Sequence, residues 1–353
     1  MKKNIMVISP SRSLDWICEE NINTAKDKLE SLGYNVQYSK NAREKDEFFS
    51  SSIESRVADI HEAFKNKNID IILPAVGGYN ANQLLEYVDY DLIKNNSKVI
   101  CGYSDITVLL NAIYAMTGIT TYLGPNYHSF AMINGLEGTI ESFQSVINGE
   151  KYNLVDPRVY SSDKWYDDQE NRVFIKNDGM IVINEGKSSG RIIAGNLCSL
   201  NLLQGTQYMP SLKNKILFLE DDALTGMEFP YEFDRNLVSL MQQKDFNSVI
   251  GLVIGRCQTA TGMTVEKWQK ILSKKELKNI PIVINANFGH TTPSATIPIG
   301  GNCIIEANAV IGRGCQIGNN CSIGMGAKIS HCLMGNDCVI YRNVCIGQDG
   351  FGF

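Results

Sequence analysis

Residues 98–118 read KVICGYSDITVLLNAIYAMTG. Val99–Cys101 fits the end of a buried strand, and Ile106, Leu109, Leu110, Ile113 and Met116 recur at helical spacing. A strand therefore passes into a helix through Gly102-Tyr103-Ser104-Asp105. Two roles are open to Ser104. A serine ahead of an apolar helix is an N-cap, worth about 1 kcal/mol. The same junction also raises a hydroxyl on a sharp turn and aims a helix N-terminus at a developing oxyanion. Gly-x-Ser-Asp is not the Gly-x-Ser-x-Gly elbow, so the local motif leaves both open.

The residues before this junction repeat its logic. NIMVIS (4–9) reads as a buried strand, 23–32 as a helix stopped by Gly33, and YNVQYS (34–39) as a second strand. Residues 53–65 have helical spacing and precede the buried run IDIILPAV (69–76); 81–87 reads as a helix. Apolar strands alternating with helices predict an α/β, Rossmann-like parallel sheet covered on both faces. Ligands bind such sheets beyond the carboxyl ends of the strands, where Gly77-Gly78-Tyr79-Asn80 and residues 102–105 both fall.

Residues 151–190 are polar and aromatic and read as a long connection. A second α/β unit starts at Arg191, with strands at 215–219, 248–254 and 280–285 and helices near 231–243 and 264–275. The expected domains are 1–150, carrying Ser104; 151–190, connecting; 191–301, a second α/β domain; and 302–353.

That last segment is a repeat. Isoleucine recurs every six residues from Ile299 to Ile329, and after a one-residue deletion the phase resumes at Met334, Ile340 and Ile346. A small residue sits two positions before these apolar residues from Ile305 to Ile340. The pattern predicts a short left-handed parallel β-helix fragment. It also accounts for five of the six cysteines that crowd into 303–345. Zinc sites use Cys-x2-4-Cys pairs, so a spacing of six in phase with aliphatics is packing.

The 353 residues carry 44% apolar and 20% charged side chains and a net charge of -5. Mild acidity without basic clusters argues against nucleic acid as a partner. No apolar run approaches the roughly 20 residues that span a bilayer, and the N-terminus lacks a signal-peptide core. A cytoplasmic location is the expectation, with no membrane partner.

Two further polar residues end strands. Glu220 follows KILFL, where a carboxylate is costly unless paired or solvated; it could also be a simple loop acid. His290 lies in NANFGHTTP, where a histidine could be structural. Ser, Glu and His at the carboxyl ends of three strands would make a nucleophilic triad.

GYSD, FLED and NFGH, with GGYNAN before them and AGNL between, resemble the S66 serine carboxypeptidases over residues 1 to about 301. That family comprises the muramoyl-tetrapeptide L,D-carboxypeptidases and the microcin C self-immunity peptidases. The resemblance implies Ser104 as nucleophile, His290 as general base and Glu220 as its orienting partner. It further implies the Gly78 and Asp105 N–H groups as oxyanion donors, and Gly77, Asn80 and Asn196 as substrate contacts. No cofactor or metal is implied.

VICGYSDITVLLNAIYAMTGITTYLGP and the long 160–190 segment are similar to the immunity branch, which implies a small peptide or peptidyl-nucleotide substrate. Trp165 then either stacks on a nucleobase or packs the segment down. Val76 stands where many L,D-carboxypeptidases carry arginine, and valine cannot pair with a substrate carboxylate. Removal of a terminal residue from muropeptide is the alternative activity.

The ending IGQDGFGF resembles the hexapeptide-repeat UDP-3-O-acylglucosamine N-acyltransferases, whose catalytic histidine lies beyond this stretch. Acyl transfer is therefore expected to be absent, and His331 reads as a corner residue. The resemblance suggests a fusion joined within 302–309. A homo-oligomer is expected, a dimer through the body or a trimer through the tail.

Overall fold

The computed structural model describes residues 2–307, 310–311, 315–319, 321–324, 326–341 and 344–347. Residues 348–353, most of the acyltransferase-like ending, lie outside them.

The first half is built from five parallel strands: β1 (Lys3–Ile8), β2 (Tyr34–Tyr38), β3 (Ile71–Pro74), β4 (Val99–Gly102) and β5 (Thr121–Leu123). Their spatial order is β5-β4-β3-β1-β2. The crossovers carry α1 (Glu19–Ser31), α2 (Ile53–Lys65), α3 (Tyr90–Asn95) and α4 (Thr107–Thr117); α5 (Glu137–Ile147) follows β5. α2 illustrates the code. Ser52 caps it by accepting from the Ser55 N–H, and Val57, Ile60, Ala63 and Phe64 form its buried stripe.

The helix expected over 81–87 shrinks to a single tight turn at Ala81–Leu84, and α3 starts afresh with Asp89 as its cap. The Ala81 N–H donates to the Asp105 carboxylate at 2.9 Å, which ties this turn to the β4–α4 junction.

The connecting segment is more ordered than its composition suggests. β6 (Val159–Tyr160) and β7 (Ile175–Lys176) pair with each other, and β8 (Ile181–Asn184) joins the second sheet. The sheet pairing of β8 is antiparallel to a strand about a hundred residues onward, so no local pattern announces it.

In the second half β9 (Gly186–Asn196) starts five residues before the expected domain start at Arg191; β10 (Lys215–Glu220), β11 (Gly251–Gly255) and β12 (Ile282–Ala286) follow in parallel. The intervening helices are α6 (Leu197–Asn201), α7 (Phe229–Met241) and α8 (Val265–Leu272).

The chain then ties both sheets together. β13 (Ile297–Ile299) returns to the first sheet, antiparallel to β5. β14 (Asn302–Ala307) adds to the edge of the second, antiparallel to β9. The body therefore runs through Ala307, past the expected boundary at 301, because NCIIEA has a strand partner in GKSSGR.

Beyond it, two-residue strands stack in parallel on three faces. Ile311 pairs with Ile329, and Ile317 with Met334. The rise of eighteen residues and then seventeen reproduces the hexad period and its one-residue deletion. His331 sits at a corner, in the left-handed region at φ 46°. Among the described residues no helix is long and apolar enough to cross a membrane.

Candidate active site

Ser104 follows β4 with φ 64°. Its side chain caps neither the short turn it begins nor α4, so the N-cap role is not realised. A non-glycine residue in this conformation is strained, and the strain lifts the hydroxyl clear of the helix.

The glycine turn after β3 faces it. A Cβ on Gly77 would lie 3.1 Å from Ser104 Oγ and 3.7 Å from the Asp105 nitrogen. One on Gly78 would lie 2.2 Å from Ser11 Oγ. Only bare backbone fits between these groups. The Asp105 carboxylate, buried, accepts from Ser11 Oγ at 2.5 Å and from the Ala81 N–H, bracketing the turn. This anchoring role was not foreseen; an acid inside an apolar junction is the signal that could have revealed it.

Glu220 ends β10 with 2% exposure, and its Oε2 lies 2.6 Å from His290 Nδ1. A carboxylate only accepts, so Nδ1 carries the proton and Nε2 is left for the cavity. Gly289, at φ 103°, makes the approach possible, since a Cβ there would meet Glu220 Oε2 at 2.8 Å. Burial disfavours the imidazolium, but the charge and hydrogen bond of Glu220 outweigh it, with Asp222 and Asp221 adding. The His290 pKa is raised to about 9. Asp221 is pushed up to about 7 by burial and by the charges of Glu220 and Asp222.

The two sheets are registered by α4. The Asn196 N–H donates to Thr107 Oγ1 at 3.0 Å, and Asn111 Nδ2 donates to the Ala194 carbonyl at 3.0 Å. A Cβ on Gly195 would stand 2.2 Å from Thr107 Cγ2. Asn196 in turn pairs with Glu220 across the β9–β10 register. The helix behind Ser104 thus rests on the strand beside Glu220.

Ser104 and His290 line one cavity of about 580 Å³, together with Gly77, Gly78 and Val76. No hydrogen bond joins Ser104 to His290, a looseness common before substrate binds. Asn80 and Asn196 do not line it. Asn80 accepts from Ser11 Oγ at 3.5 Å and, through its carbonyl, from Arg56. Asn196 caps α6 and donates to Asp221. Both serve the framework around the cavity.

Trp165 does line it, at 8% exposure and 4.6 Å from the His128 ring, with the more exposed Tyr166 beside it. Burial lowers the His128 pKa to about 4, so this wall is aromatic and uncharged at neutral pH. The connecting segment is fastened to the His290 loop by two hydrogen bonds of 2.8 Å between Ser161 and Thr292. Among the described residues no cluster of His, Cys, Asp or Glu could hold a metal ion.

Comparison with known proteins bears on this arrangement. Residues 5–124 match the LD-carboxypeptidase N-terminal domain of peptidase family S66, and residues 189–305 match its C-terminal domain. The "Putative carboxypeptidase YocD" of Bacillus subtilis (strain 168) is 47% identical over 305 residues, 86% of this chain and 93% of that one. The chain belongs to the S66 LD-carboxypeptidase family. The crystal structure of an MccF-like protein from Bacillus anthracis str. Ames superposes at TM-score 0.85 and 51% identity, covering 87% of this chain and 94% of that one. MccF in complex with glutamyl sulfamoyl guanosine superposes at TM-score 0.75 and 27% identity, covering 86% and 93%.

Residues 299–331 match the bacterial transferase hexapeptide repeat, so this S66 serine carboxypeptidase carries repeats after its body. Within the S66 frame, sequence reasoning gave no site role to Arg12 and Asp222, both of which line the cavity. They lie in loops, where neither periodicity nor a short motif marks them.

Proposed function

We propose that this S66 hydrolase cleaves an amide at the C-terminal end of a small peptide or an aminoacyl- or peptidyl-nucleotide. Ser104 Oγ attacks the carbonyl carbon as His290 Nε2 takes its proton. The Gly78 and Asp105 N–H groups hold the oxyanion. The tetrahedral adduct collapses as His290 returns the proton to the departing nitrogen, leaving an acyl-enzyme. Water, deprotonated by His290, releases the acid and regenerates Ser104. Glu220 holds the imidazole in the tautomer that accepts at Nε2.

The observation that carries this reading is the buried 2.6 Å Glu220–His290 contact in a cavity that Ser104 enters from a strained turn. The aromatic wall of Trp165, Tyr166 and His128 supports a substrate with a flat ring, as does the sulfamoyl guanosine ligand named for MccF. Removal of a terminal residue from muropeptide is the rival.

A fluorophosphonate probe tests the nucleophile, with an adduct on Ser104 expected by mass spectrometry. Offering an aminoacyl-nucleotide and a muramoyl tetrapeptide then separates the two substrates; turnover of the tetrapeptide alone rejects the nucleotide reading. A chain ending at Ala307 keeps both sheets and is expected to keep its activity. Loss of hydrolysis from a body that still melts cooperatively would place function in the repeats.

A further inference from the structure

Val76 brings no charge to the cavity, yet a cation lines it as well. Arg12 lines the cavity, half-buried. Its guanidinium carbon lies 4.8 Å from the Trp16 ring centroid and 5.1 Å from that of Tyr79. No carboxylate among the described residues forms an ion pair with it, whereas the cavity's Asp163 is matched by Arg172 at 3.0 Å. Aromatic contacts attract a guanidinium through its face, which leaves the N–H donors at its edge available as a fork for an anion.

The base of this side chain is held against the glycine turn that faces Ser104. The Arg12 N–H donates to the Gly77 carbonyl at 3.4 Å. A Cβ on Gly78 would lie 3.0 Å from Arg12 Cγ. Lys164 also lines the cavity, but it is exposed on the connecting segment and has no such framing.

We propose that Arg12 is a specificity-determining residue that clamps an anion on the leaving group, close to the scissile carbonyl. This assignment rests on the hydrolytic reading above. Two substrate chemistries present such a group. In a peptide acid the terminal carboxylate carbon is three bonds from the scissile carbonyl carbon, within about 4 Å. In an N-acyl phosphoramidate of a nucleotide the charged oxygen is also three bonds away. The clamp selects for the anion and draws the carbonyl toward the Gly78 and Asp105 N–H groups.

The test uses two matched pairs, a peptide acid with its terminal amide, and an N-acyl phosphoramidate with its neutral methyl ester. The intact enzyme is expected to favour the anionic member by about 10–100-fold in kcat/KM, the range for a charge-assisted hydrogen bond. Arg12→Gln should erase that preference, mainly through KM, while turnover of the neutral member falls far less. Arg12→Lys should restore part of it, since the charge returns without the fork. The series in which the preference collapses identifies the source of the anion.

Binding of the same pairs to Ser104→Ala, followed by tryptophan fluorescence, reads the clamp without turnover. Arg12-dependent preference in binding with no hydrolysis by the intact enzyme would sink the hydrolytic reading and leave the clamp standing. A preference that survives Arg12→Gln in a protein of unchanged melting temperature, one lost in Lys164→Gln instead, or none in the intact enzyme, would overturn the assignment.

Discussion

Alanine at position 104 is expected to lower kcat by a factor on the order of 10⁵–10⁶, the loss seen when a serine hydrolase forfeits its nucleophile. The structure makes this a clean experiment. The Ser104 hydroxyl caps no helix and has no hydrogen-bond partner among the described residues, so its removal leaves the packing intact. Alanine accepts φ 64° at the same backbone cost as serine. Melting temperature should stay close to that of the parent while single-turnover hydrolysis and fluorophosphonate labelling vanish. A loss of less than tenfold would move the nucleophile elsewhere and leave the cavity as a binding site.

The second large effect belongs to Glu220, and it has a sign as well as a size. In the proposed mechanism His290 must be neutral to accept a proton, and its pKa is raised to about 9. The acid limb of kcat/KM should therefore lie above the ordinary imidazole value, with activity climbing as pH rises through the raised pKa. Glu220→Gln removes the main influences that raise it and leaves burial, which lowers it. The variant should lose on the order of 10³–10⁴ in kcat, because the amide no longer enforces the tautomer. Its acid limb should move to lower pH at the same time. A rate loss with the limb unmoved would mean that Glu220 does not face the titrating imidazole in solution.

The strands carrying Ser104, Glu220 and His290 were legible because each is a short, nearly pure apolar run closed by a polar residue. The hexads were legible for the same reason, a local period. What escaped depends on partners distant in the chain. β8 and β14 are edge strands whose register comes from β12 and β9. The turn at Ala81–Leu84 is anchored by a carboxylate 24 residues away, which no local pattern reveals. Asn196 looked like a substrate contact from its motif, but in three dimensions its amide bonds to Asp221 and to the start of α6.

Residue 104 hangs from one sheet and residue 290 from the other, and α4 is the spacer that sets the gap between them. Where that spacer meets Gly195 the clearance is too small for even one methyl group. A substitution there would act as a shim, prising the two frames apart while each stayed sound within. Catalytic alignment is thus a property of the seam, and wear at the seam would silence the enzyme long before either half came undone.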